Sequence, residues 1–180
     1  MSGAIGGFHS PALGLYPRLS RGFREAGIAS LQVSFRHSTV LEEATMDVLA
    51  GISFLEQEGI GGVSLTGHSF GGAVVIQAAS RSPLVRAVCT LATQSYGIEP
   101  IATLGPRCPL LLIHGEEDEL LPVRCSEFAF AKARWPKVFH QLPGGRHALD
   151  EVADDVHRLV CAWLMEHLDC APSQSVACGR

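Results

Sequence analysis

The chain has 180 residues, 47% of them hydrophobic and 18% charged, which suits one packed domain and lies far from the composition of disordered chains. Eighteen acidic against fourteen basic side chains give a formal charge of −4, and no Lys/Arg cluster is present to meet phosphates, so a nucleic-acid partner is excluded. Apolar runs such as Pro109 to Ile113 fall far short of the ~20 residues needed to span a bilayer, so no membrane span is expected.

In chain order, Leu13 to Ala26 carries apolar residues at helical spacing and runs into Gly27, a helix stop. Ile28 to Phe35 is short and bounded by Gly27 and the polar Arg36-His37-Ser38, the pattern of a strand. Val40 to Glu58 repeats apolar positions at threes and fours, predicting a long amphipathic helix that Gly59 ends.

A strand centred on Val63-Ser64-Leu65 follows within Ile60 to Thr66. The chain then turns through Gly67-His68-Ser69 into an apolar helix, Ala73 to Ser80, stopped by Ser82-Pro83. Val85 to Ala92 and Leu110 to His114 are near-continuous apolar runs, expected as buried strands. Gln94 to Arg107, between them, has room for a turn or short helix but not for a cap domain.

A helix after Pro122 to about Trp135, a strand Val138 to Leu142 and a last helix from about Leu149 to Leu168 complete the series. Strands alternating with helices predict an α/β class, a mainly parallel sheet covered on both faces. One domain over residues 1–170 is expected, with 171–180 as a loose tail. The opening MSGAIGGFHS has neither the basic leader nor the apolar core of a secretory signal. The six cysteines (Cys89, Cys108, Cys125, Cys161, Cys170, Cys178) form no C-x-x-C, so reduced thiols in the cytoplasm are expected.

The chemistry-bearing signal is Gly67-His68-Ser69-Phe70-Gly71, a G-x-S-x-G between a predicted strand and a predicted helix. Small residues on either side let strand and helix pass closely while the serine hydroxyl projects from a sharp turn. A serine needs a base to remove its proton and an acid to orient that base, in the order Ser, acid, His. Asp118 lies directly beyond a buried strand and nearest the Leu120-Leu121-Pro122 that should open a helix. Glu116, Glu117 and Glu119 surround it, so a solvated acidic loop is the plainer alternative. His147 follows the last predicted strand. All three would emerge at the carboxyl ends of parallel strands, where ligand sites collect.

These motifs in this order resemble the α/β-hydrolase superfamily, in particular small, lid-poor members similar to dienelactone hydrolases and to acyl or peptidyl esterases. The resemblance runs from about Gly6 to Leu168 and rests on Gly-Gly-Phe-His-Ser (6 to 10), Gly-His-Ser-Phe-Gly-Gly (67 to 72), His-Gly-Glu-Glu-Asp-Glu-Leu-Leu-Pro (114 to 122) and Gly-Gly-Arg-His (144 to 147). It implies Ser69 as nucleophile, Asp118 as acid, His147 as base, and the backbone N–H groups of Phe8 and Phe70 as oxyanion donors. In the family, two or three strands precede the loop at Phe8. Here only Met1 to Ile5 do, so either the sheet has lost its first strands or the chain is a shortened form of a longer product, and an exposed sheet edge that invites a homo-oligomer is expected.

The expected activity is hydrolysis of a carboxylic ester or thioester on a small-molecule acyl substrate, with no metal or cofactor. His68, Leu120 and Leu121 are the expected substrate contacts. Amide or peptide hydrolysis on the same three residues, and a catalytically weak binding protein, are the alternatives.

Overall fold

The computed structural model describes residues 9–168; the expected tail, Phe8 and the residues before it lie outside them. Four parallel strands, β1 (Val63–His68), β2 (Val85–Leu91), β3 (Leu110–Gly115) and β4 (Lys137–Leu142), stand in the sheet in their sequence order. Each parallel neighbour requires a crossover, and helices supply them: α3 (Phe70–Arg81) between β1 and β2, and α4 (Arg124–Lys132) between β3 and β4. The crossover from β2 to β3 carries only a 3-10 turn at Glu99–Thr103, consistent with the short Gly- and Pro-containing link.

The alternation of the strands divides the core in two. Leu110 and Leu112 of β3, with Val85 and Val88 of β2, face α3 and the apolar stripe Ala44, Val48 and Ile52 of α2 (Leu41–Gln57). Leu111 and Ile113, with Cys89 and Leu91, face α1 (Leu15–Glu25) and the Val156, Val160 and Leu164 stripe of α5 (Ala153–His167). Strands buried on both faces are near-continuous apolar runs for this reason. Among the described residues no helix is long and apolar enough to cross a membrane.

The strand expected over 28–35 does not form. The segment takes no regular secondary structure, and 29–35 makes no main-chain hydrogen bond to another described residue. A strand requires a ladder partner, and local β-propensity cannot supply one. A cavity of about 780 Å³ lies between this segment and β1, with Ile28, Leu31, Val33, Val63, Ser64 and Leu65 among its walls. Two smaller departures concern helix ends. The helix α3 begins at Phe70 rather than Ala73, and a 3-10 turn at Asp150–Val152 precedes α5.

Candidate active site

Ser69 stands between the last residue of β1 and the first of α3, with φ 55° and ψ −119°. A non-glycine residue there is strained by about 1–3 kcal/mol, so its surroundings must hold it. They do so through two hydrogen bonds, from Ser69 N–H to the Leu91 carbonyl at 2.8 Å and from Gly72 N–H to the Ser69 carbonyl at 3.0 Å. A Cβ on Gly67 would overlap the Gly71 carbonyl, and one on Gly72 would overlap Thr93. Both glycines are therefore required by close approach.

Asp118 and His147 come from the loops after β3 and β4. Main-chain bonds from Glu116 N–H to the Leu142 carbonyl and from Glu117 N–H to the Gly145 carbonyl, both 3.0 Å, fasten the two loops together. Gly115 has no room for a side chain because Gly145 packs on it. The fastening puts His147 Nδ1 at 2.8 Å from Asp118 Oδ2 and His147 Nε2 at 3.1 Å from Ser69 Oγ. A carboxylate only accepts, so Nδ1–H donates to Asp118, and the free Nε2 lone pair accepts from the serine O–H.

The Asp118 side chain is fully buried. Its Oδ1 accepts the N–H groups of Leu121 at 2.7 Å and Leu120 at 2.9 Å. Burial pushes the carboxyl up, but the amide of Leu121, His147 and the amide of Leu120 outweigh it and hold the group below its ordinary value. Asp118 is thus a carboxylate against an imidazole that contacts a serine hydroxyl, an arrangement able to move a proton from oxygen to nitrogen.

A model of the dienelactone hydrolase family matches residues 7–158. The chain belongs to that family. The esterase domain of a Rhodothermus marinus protein is 25% identical, aligning over 85% of this chain and 80% of its own with a TM-score of 0.70. Est1E from Butyrivibrio proteoclasticus is 16% identical over 93% and 86%, with a TM-score of 0.79. A monoacylglycerol lipase from Paleococcus ferrophilus is 17% identical over 91% and 93%, with a TM-score of 0.65. No curated protein sequence matches. The fold is that of the α/β-hydrolases, and membership of the dienelactone hydrolase family supports hydrolase activity.

Within this dienelactone hydrolase family chain, the other expected site residues take varied places. Phe70 is the first residue of α3, where helix-start amides lack an intrahelical acceptor; its ring packs edge-on to Phe35 at 5.9 Å. Leu120 is 67% exposed, and Leu121 is half-buried. Both hold Asp118 through their amides. His68 is buried, and its Nε2–H donates to the His147 carbonyl at 2.8 Å while its Nδ1 has no hydrogen-bond partner among the described residues. Burial lowers its pKa to about 4, so the ring is neutral at pH 7.

Sequence reasoning missed three residues. Glu119 accepts the His147 main-chain N–H at 3.1 Å. His114 and Ser126 are both fully buried and bonded to each other behind Asp118. The adjacency of His114 to Gly115 at the end of β3 was visible, but nothing in the spacing told that its ring turns toward the acid.

Proposed function

We propose that the protein is a serine hydrolase cleaving a carboxylic ester or thioester of a small acyl substrate through an acyl-enzyme on Ser69. The observation that carries this reading is the continuous chain of contacts from Ser69 Oγ through His147 to Asp118. His147 Nε2 takes the serine proton as Oγ bonds to the substrate carbonyl carbon, and Asp118 stabilises the imidazolium that results. The amide N–H of Phe70, and that of Phe8 in the family's loop, receive the developing oxyanion. The imidazolium then gives its proton to the leaving alcohol or thiol as the carbonyl re-forms. A water molecule, deprotonated by the same nitrogen, attacks the acyl carbon and restores the Ser69 hydroxyl.

A similar structure, Est1E, has been described with ferulic acid bound, and this supports a carboxylic ester as the substrate class. A cytoplasmic location and association through the edge of β1 belong to the same reading. The test is labelling by a fluorophosphonate at pH 8. Wild-type protein should react at one residue and Ser69→Ala at none, and a folded wild type that takes no label refutes the proposal.

A further inference from the structure

Asp118 has a second histidine on it. His114 Nε2 lies 3.1 Å from Asp118 Oδ2, the same oxygen that receives His147, and both His114 and Asp118 side chains are fully buried. The ring's other contacts fix its tautomer. Nε2 faces two acceptors, the Asp118 carboxylate and the Leu121 carbonyl at 3.0 Å, so it must carry the hydrogen. Nδ1 then presents a lone pair, which the hydroxyl of Ser126 on α4 meets at 2.6 Å as donor.

We propose that His114, oriented by Ser126, is a positioning residue that locks the Asp118 carboxylate and sets how strongly it attracts a proton on His147. The inference rests on the proposed roles of Ser69, His147 and Asp118. With two amides on Oδ1 and two rings on Oδ2, the carboxylate has no free rotation about its last torsion. The His114 Nε2–H also draws on the charge of the oxygen that faces the His147 ring, so its removal should leave more charge there to stabilise imidazolium.

Among the described residues, few charged and titratable groups face this cluster. His68 of β1 is buried against the His147 ring at a centroid distance of 4.9 Å. Glu119 accepts the His147 amide, and Arg146 pairs with Glu119 at 3.5 Å. Burial keeps His114 neutral, opposed by the Leu121 carbonyl and Asp118. A neutral ring can donate without adding the positive charge that would repel a protonated His147.

The test compares wild type, His114→Phe, His114→Gln and Ser126→Ala, each checked by circular dichroism. The His147 ring is titrated by NMR in histidine-labelled protein, and kcat/KM for p-nitrophenyl acetate is measured against pH. Only the difference in this contact between the two protonation states of His147 moves its midpoint, so His114→Phe should shift the midpoint and the acidic limb upward by at most roughly one pH unit. The glutamine Nε2–H₂ reaches the place of the ring Nε2, so His114→Gln should return both toward wild type. Ser126→Ala should shift them the same way by less.

A His147 midpoint in His114→Phe that coincides with wild type overturns the proposal, as does a glutamine variant shifted as far as phenylalanine. If His114→Phe does not fold, an unmoved midpoint in Ser126→Ala overturns it. A purely structural role lowers activity equally at all pH values and leaves the limb where it was. The NMR titration needs no turnover, so a wild type that takes no fluorophosphonate would sink the hydrolase reading while this result still stands or falls separately.

Discussion

The carboxylate of Glu119 accepts the main-chain N–H of His147 at 3.1 Å, while the neighbouring carboxylate of Asp118 accepts the His147 ring at 2.8 Å. Two adjacent acids therefore hold one histidine by different handles. Asp118→Asn should lower esterase kcat by about 10³–10⁴, since an amide favours the wrong imidazole tautomer. Glu119→Gln keeps an acceptor oxygen and should cost only a few-fold, and Glu117→Gln nothing measurable. A loss in Glu119→Gln equal to that in Asp118→Asn would show that the acid has been misassigned.

The nucleophile turn gives a steric prediction. Gly67→Ala places a methyl against the Gly71 carbonyl, whereas Gly61→Ala meets nothing within 4 Å. Overpacking of this kind costs about 1–3 kcal/mol, which for a domain of this size is a fall in Tm of roughly 2–12 °C. Differential scanning calorimetry should find that fall in Gly67→Ala with loss of fluorophosphonate labelling, and neither change in Gly61→Ala.

Acid should weaken the fold through His68. Its folded pKa of about 4 lies below the ordinary histidine value of 6.5, so between these values the unfolded chain binds more protons and stability falls as pH drops. The loss by pH 4 is on the order of 3 kcal/mol. His114 and His157, both lowered chiefly by burial, add the same sign. Asp118, held low, contributes stability above the unfolded carboxyl value that is lost only at still lower pH. His68→Asn should flatten the melting temperature between pH 6.5 and 4 relative to wild type; parallel curves would contradict this account.

Hydrogen exchange should separate the 29–35 segment from the sheet. Amides of 29–35 lack main-chain partners among the described residues, so they should exchange orders of magnitude faster than those of β2 and β3. Protection of 29–35 equal to that of β2 would mean that the segment is paired in solution.

How far the sequence carried depended on the range of the interactions. The helix α2 and the strands β2 and β3 were legible because one run of side chains determines each. Ser69, Asp118 and His147 were legible because their order follows the strand ends. The 28–35 segment was not, since its fate turns on whether a ladder partner lies alongside, which residues 28–35 do not encode. His114 escaped for a related reason. Its partners, Asp118 and Ser126, meet it only once α4 packs on β3, and a histidine ending an apolar strand carries no mark of which way its ring will turn.

The sheet's spatial order repeats the order of translation. Each strand leaving the ribosome adds to the edge laid down by its predecessor, and no later strand must be threaded between two earlier ones. The serine is made early, but His147, its proposed base, arrives 78 residues later. At about 5–20 residues per second, that interval is roughly 4–16 seconds. During it, the nascent chain holds Ser69 without the His147 ring that meets its hydroxyl in the folded chain. Under the proposed mechanism the chain gains its base only with the loop after β4, so fragments that end before His147 should take no fluorophosphonate label.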